Sequence, residues 1–135
     1  MAVHHETLTV ETRTKVASLD ITARVRAAVT RSKIKQGICV VAVQHTTAGV
    51  FVNENADPAV QKDLLSHLGK LVPRDEEFAH AEGNADAHIK SVLTGNDVSL
   101  AIRDGELVLG TWQGIYFADF DGPRERHAVV TVIGE

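Results

Sequence analysis

One cysteine, no block of basic residues and no long apolar run are the first facts of this sequence, and each excludes a class of protein. Cys39 stands alone, so no intrachain disulfide framework exists; inside the apolar run 38–43 it reads as a small buried hydrophobe. Basic and acidic side chains are mixed along the chain, with a formal net charge of -4, which leaves no electrostatic footprint for nucleic acid. No apolar stretch approaches the ~18–20 residues of a membrane span. The start, Met1 to Val10, is polar and lacks the apolar centre of a signal peptide, so the cytoplasm is the expected location. Glycine-rich phosphate loops are missing, and no serine sits in a strand-to-helix elbow. Neither nucleic acid nor membrane is therefore expected as a partner. A few local cations could still hold an anion, because net charge says little about one cleft.

What is present suits one globular domain spanning 1–135. Hydrophobic residues make up 44% and charged residues 24% of 135, enough to bury a core without disulfides or a structural metal. A Thr- and Glu-rich start predicts an edge strand over about 5–13. Ser18 or Asp20 can cap a helix in which Ile21, Val25 and Val29 recur every four residues, ending near 31–35. Residues 36–47 predict a central strand, with Val41, Val43 and His45 on one face. A second strand follows at 50–53. Asp57-Pro58 starts a long helix over about 57–70, striped by Val60, Leu64, Leu68 and Leu71. A shorter helix over 85–94 is expected to be capped by Asn84, with Ile89 and Val92 as its packing face. Asp104-Gly105 signals a type I′ hairpin, and strands over 112–120 and 127–133 complete the chain. This order predicts an α+β fold with a largely antiparallel sheet and helices packed on one side.

Chemically competent side chains gather in two segments, 45–57 and 80–90. His45 ends an apolar strand face and is as well suited to a structural hydrogen bond as to a ligand role. His80 precedes, and His88 lies on, the short helix, so the loop can fold one imidazole over the other. Three imidazoles at one point suit zinc or a similar divalent ion such as magnesium, although their spacing matches no recognised ligand pattern. Gly83-Asn84 before a helix leaves N–H groups that, with Lys90, could hold a phosphate; an ordinary capped helix is the alternative. Glu54 and Asp57 are candidate bases or histidine-orienting groups, with capping the favoured role for Asp57. Gln113 can bind a metal-bound water or substrate, or be satisfied by backbone, and Trp112 suits packing or an interface.

Four segments together resemble the YjbQ family. They are His45-Thr46-Thr47-Ala48-Gly49, Asn53-Glu54-Asn55-Ala56-Asp57-Pro58, Glu82-Gly83-Asn84-Ala85-Asp86-Ala87-His88-Ile89-Lys90 and Leu109-Gly110-Thr111-Trp112-Gln113-Gly114-Ile115. The ending Val130-Thr131-Val132-Ile133-Gly134 is similar as well. The resemblance implies an α+β fold, a homotrimer, a histidine-containing polar site that holds a metal or an anion, and a weak thiamine-phosphate synthase activity on small phosphorylated molecules. The reading of the residues themselves gives catalytic or binding roles to Glu54, Asp57, Asn84, Lys90 and Gln113 around a metal held by His45, His80 and His88. A metal-dependent hydrolase of a small phosphorylated or acyl compound, or a non-enzymatic binder of a metal or metabolite, are the alternatives. The expectation carried forward is that the three imidazoles converge, with Glu54, Asn84 and Gln113 around them.

Overall fold

Burial alternates residue by residue along Gly37–Val43, with Cys39, Val41 and Val43 buried. That strand sits at the centre of the larger of two sheets. The computed structural model describes residues 1–135. In chain order the elements are β1 (Ala2–Glu11), β2 (Ala17–Asp20), α1 (Thr22–Ser32), β3 (Gly37–Val43), β4 (Ala48–Glu54), α2 (Pro58–Leu71), α3 (Ala85–Thr94), β5 (Asp97–Arg103), β6 (Glu106–Leu107), β7 (Gln113–Asp119) and β8 (Glu125–Gly134). A five-stranded sheet runs β1-β8-β3-β5-β6 and a three-stranded sheet runs β2-β7-β4. Every pairing is antiparallel. No helix is long and apolar enough to cross a membrane.

The main core draws inward-facing residues from both sheets, including Val41, Val130 and Val132 from the larger and Val50, Ile115 and Phe117 from the smaller. Val25, Ala28 and Val29 of α1 join it. Asp20 starts α1, its Oδ1 accepting the Thr22 amide at 2.9 Å, which satisfies one of the orphan donors of a helix start. A smaller cluster of Ala87, Ala118 and Phe120 takes Leu65 and Leu68 of α2 against it. Thus α2 and α3 cover the other face of the three-stranded sheet. The Asp104-Gly105 turn has φ of 54° and 81°, the two positive values a type I′ hairpin requires.

Sequence periodicity misplaces one helix face and omits one strand. Along α2 the expected Val60, Leu64 and Leu68 are half-buried, Gln61 and Leu65 join them on the inner side, and only Leu71 of the expected stripe is exposed. More unusually, α3 buries Asp86, Ala87, Lys90 and Ser91 while Ile89, Val92 and Leu93 face outward. Its packing face is therefore not the expected Ile89 and Val92. Strand β2 has four residues, too few for an alternation to register. The docking of α3 depends on Gly49: a Cβ there would lie 2.2 Å from Thr94 Oγ1 and 2.7 Å from the Gly95 carbonyl oxygen. With no side chain in the way, Ser91 Oγ donates to the Ala48 carbonyl at 2.6 Å, and α3 lies along the start of β4. This contact brings His88 to the same end of the molecule as His45.

Candidate functional site

Three chain segments meet at that end: the β3–β4 loop (44–47), the start of α3, and the β7–β8 turn (120–124). They enclose a depression of about 350 Å³ lined by His45, Thr47, Glu82, Asn84, His88, Asp121, Arg124 and Arg126, among others. It adjoins a second depression of about 400 Å³ that shares His45 and His88 and is bordered by Val92.

The floor is a buried ion pair. Arg126 Nη2 donates to Asp119 Oδ1 at 2.7 Å, with both side chains almost wholly buried, and to Thr47 Oγ1 at 2.8 Å. Thr12 Oγ1 and the Asp121 amide donate to the two Asp119 oxygens at 2.6 and 3.0 Å. Burial alone pushes the Asp119 carboxyl up, but the bonds from Arg126, Thr12 and the Asp121 amide together hold it below the usual carboxylate range. Arg126 Nε has no partner, which leaves one buried donor of a charged group open.

Above this floor Asp121 gathers Lys15, Asn84 Nδ2 at 2.9 Å and Arg124 Nη2 at 2.9 Å. Burial again works against its charge, and the Lys15, Asn84 and Arg124 contacts outweigh it, so its pKa is lowered. Because Asn84 reaches for Asp121, it makes no capping bond to α3. The first-turn N–H groups of α3 are left without a side-chain acceptor at the edge of the depression, where the positive end of the helix dipole favours an anion.

His45 is neutral and oriented. The His127 amide donates to its Nε2 at 2.9 Å, which puts the ring proton on Nδ1. Burial is the main reason that its pKa is lowered, followed by the positive charge of Arg126 and of His127. A neutral imidazole whose Nε2 lone pair is taken offers an N–H donor, not a metal ligand. His80 and His88 do meet, with ring centroids 5.2 Å apart and edge to face, and His80 Nε2 lies 3.5 Å from Glu82. No group of three His, Cys, Asp or Glu side chains is placed to hold a metal ion. The expected three-imidazole centre of His45, His80 and His88 does not fit this arrangement, because the Nε2 of His45 is spent on the backbone.

The other expected residues divide. Asn84 lines the site. Lys90 does not: its ammonium is buried against Asp86 at 2.8 Å within α3. Glu54 and Gln113 are paired across β4 and β7 at the opposite end of the small sheet. At the ~3.3 Å rise per residue of a strand, that is roughly 20 Å from the start of β4. Gln113 Oε1 accepts the Gly110 amide at 2.8 Å, the backbone-satisfied alternative. Asp57 caps α2, accepting the Ala59 amide at 2.9 Å. Replacing Asp57 by Ala should cost about 1 kcal/mol, read as a lower urea midpoint with an unchanged slope.

Sequence reasoning missed Thr12, Lys15, Asp119, Asp121, Arg124 and Arg126. A signal existed. Asp119 is in phase with the buried Ile115 and Phe117, and Arg126 with the buried Ala128 and Val130, so two charges occupy core-facing positions.

These environments set the acid response. Asp119 and Asp121 have lowered folded pKa values, and Glu6, held by Arg31 first and then His4, falls to about 2. Lowered folded values contribute stability that is complete above the unfolded pKa of about 4 and is lost as pH falls through the folded values. His45, also lowered, loses its share earlier, beginning below about pH 6.5. Urea midpoints should therefore be flat between pH 6.5 and about 8, decline slightly towards pH 5, and drop steeply below pH 4; a midpoint that rises on acidification from pH 7 contradicts these assignments.

The model of the family described as "UPF0047 protein YjbQ-like" matches residues 6–135. A UPF0047 protein of Methanocaldococcus jannaschii is 49% identical over 126 residues, covering 93% of this chain and 91% of its own. The UPF0047 protein YugU of Bacillus subtilis is 42% identical, covering 96% and 98%. A crystal structure of a YjbQ/UPF0047 protein from Clostridium acetobutylicum superposes with a TM-score of 0.93 at 45% identity, covering 95% and 99%. That of a YbjQ-like protein of unknown function from Sulfolobus solfataricus gives 0.96 at 34%, covering 99% of both chains. Near full-length agreement in both sequence and backbone means that the chain belongs to the YjbQ/UPF0047 family.

Proposed function

We propose that the depression between the β3–β4 loop, the start of α3 and the β7–β8 turn binds the phosphate or diphosphate group of a small phosphorylated molecule. On this reading the chain is a weak thiamine-phosphate synthase-like transferase. The observation that carries the reading is the start of α3: its N-cap side chain is drawn away to Asp121, beside the guanidinium groups of Arg124 and Arg126. Free amides, a neutral imidazole N–H and two guanidinium groups are all donors, and together they suit a multiply charged oxyanion.

In the transfer, the lone pair of a thiazole nitrogen forms a C–N bond to the methylene carbon of a pyrimidine diphosphate. The C–O bond breaks, and its electron pair leaves with the diphosphate. Arg124, the His45 N–H and the α3 amides meet the charge that develops on that leaving group. Steady-state assays of the purified chain with the pyrimidine diphosphate and thiazole phosphate test this. Thiamine phosphate formed alongside diphosphate supports the transferase. Phosphate or diphosphate released without a coupled product moves the assignment to a hydrolase, and no turnover leaves a binder. A chelator arm reads metal dependence separately.

The chain is proposed to work as a homotrimer in the cytoplasm. Exposed Val3, Ile38, Val92 and Leu93 supply apolar surface for such an assembly. Sedimentation equilibrium at micromolar concentration should give three times the 14.6 kDa chain mass; a monomer contradicts the assembly.

A further inference from the structure

A small phosphorylated molecule carries more than its phosphate, and the anion pocket has no apolar surface for the rest. None of the side chains lining that pocket is apolar. The adjoining depression on the far side of His45 has Val92 as its single apolar wall, and Val92 is 81% exposed. A third depression, of about 380 Å³, differs in kind. Four of its six lining residues are apolar, Phe78, Ala79, Ala85 and Ile89, and His80 and His88 complete it.

Its walls come from two pieces of chain. Phe78, Ala79 and His80 belong to the loop between α2 and α3. Ala85, His88 and Ile89 stand three and four residues apart, on one flank of α3. The other flank is occupied, because Asp86, Ala87, Lys90 and Ser91 are buried against the fold. The loop therefore lies over the outer side of the helix. His80 meets His88 with ring centroids 5.2 Å apart and planes at 79°, which joins the two walls of the cleft.

This cleft and the anion pocket meet along α3. His88 lines both. Ala85 is at once a wall of the cleft and the first residue of the helix whose free amides face the anion. A ligand with its phosphate on those amides has its next atoms at the mouth of the cleft. The volume of about 380 Å³ falls within the ~300–1,000 Å³ of small-molecule sites. A phenyl ring and two perpendicular imidazoles, set among short apolar side chains, suit a flat ring that stacks on one wall and meets another edge to face. Imidazole nitrogens can also hydrogen-bond ring heteroatoms. A sugar would lose its hydrogen bonds to water against the apolar walls.

We propose that the cleft between the 78–80 loop and α3 is the subsite for an aromatic or heteroaromatic ring joined to the phosphate by one or two atoms. The site then selects ring-bearing phosphate esters over sugar and short alkyl phosphates. This rests on the anion-site reading and deepens it, naming the substrate class and the residues that select it: Phe78, His80, His88 and Ile89.

Calorimetric titration with benzyl, cyclohexylmethyl and ethyl phosphate places three different bodies on one charged group. Benzyl phosphate should bind about tenfold or more tighter than ethyl phosphate, because its ring buries apolar area that an ethyl group lacks. It should bind about threefold or more tighter than the saturated ring of similar size. Methyl resonances of Ala79, Ala85 and Ile89 should move under the ring current of benzyl phosphate and show no such shift with cyclohexylmethyl phosphate. Ile89→Ser and Phe78→Ser are the variants. Neither residue lines the anion pocket, so each variant should keep its affinity for ethyl phosphate and pyrophosphate while losing most of the advantage of benzyl phosphate. Ile89 is 38% exposed, so its replacement leaves the fold intact. The subsite is overturned if benzyl phosphate binds no tighter than either other ester, if the three methyl groups do not shift, or if the advantage survives both substitutions. Failure of the wild type to bind pyrophosphate overturns the anion-site reading instead, and the ester ratios with the methyl shifts then decide the cleft alone.

Discussion

Replacing Asp119 by Ala is expected to lower the unfolding free energy by about 3–5 kcal/mol, because it leaves the buried Arg126 guanidinium without its counter-charge. For a chain of this length that is a fall in melting temperature of roughly 10–18 °C. The side chains concerned are only 3% and 0% exposed, so water cannot replace the lost partner. The same substitution also strands Thr12 Oγ1 and the Asp121 amide, both of which donate to Asp119. It should therefore loosen the link between the end of β1 and the β7–β8 turn. Arg126→Ala should be similarly costly, and the double replacement should cost clearly less than the sum of the two, since the residues act as a unit. Urea denaturation of the three variants measures this. Additive effects, or a single loss below about 1 kcal/mol, would show that the pair is solvated.

Arg124→Ala is expected to weaken pyrophosphate binding by about 10–100-fold with little effect on the fold. Its side chain is 54% exposed, and its bonds to Asp121 leave Lys15 and Asn84 still holding that carboxylate. Hydrogen bonds to charged groups contribute about 1.5–3 kcal/mol, and each 1.4 kcal/mol is tenfold in affinity. Arg124→Lys should recover only part of the loss, because an ammonium is a point charge and cannot present the two-pronged guanidinium geometry to a phosphate. Isothermal titration separates the two contributions. Unchanged affinity in Arg124→Ala removes the β7–β8 turn from the binding site.

Much of the fold was legible because particular residues permit few alternatives. Asp104-Gly105 demands a turn with two positive φ values, and Asp57-Pro58 demands a helix start; both stand where the sequence puts them. The apolar alternation from Cys39 to Val43 places β3 between two neighbours. Faces were harder. The rule that apolar residues point inward fails on α3, where Ala87 packs tightly between Asp86, Lys90 and Ser91 and the larger Val92 and Leu93 point out. Periodicity alone cannot register that, because it marks an apolar stripe without saying which face of the helix the fold turns inward.

The candidate site was half legible for a related reason. His45, Asn84 and His88 stand together because β3, β4 and α3 are fastened at Ser91 and Gly49. Glu54 is near His45 in sequence, yet a strand of seven residues carries it to the other end of the small sheet, where Gln113 pairs with it. The charges that flank the β7–β8 turn, Asp119 and Arg126, form the floor of the pocket. Asp119 and Arg126 break an otherwise apolar inward pattern, and a charge at a core-facing position needs a partner of opposite sign.

The central claim is that the start of α3 and the neighbouring guanidinium groups form an anion site needing no metal. Amide and arginine Nε resonances recorded by NMR during a pyrophosphate titration, with a chelator present, test it most directly. The account predicts saturable shifts of the Ala85 and Asp86 amides and of Arg126 Nε, which has no partner in the free protein. Absence of saturable shifts at these three positions, or shifts that vanish when the chelator is added, contradicts it.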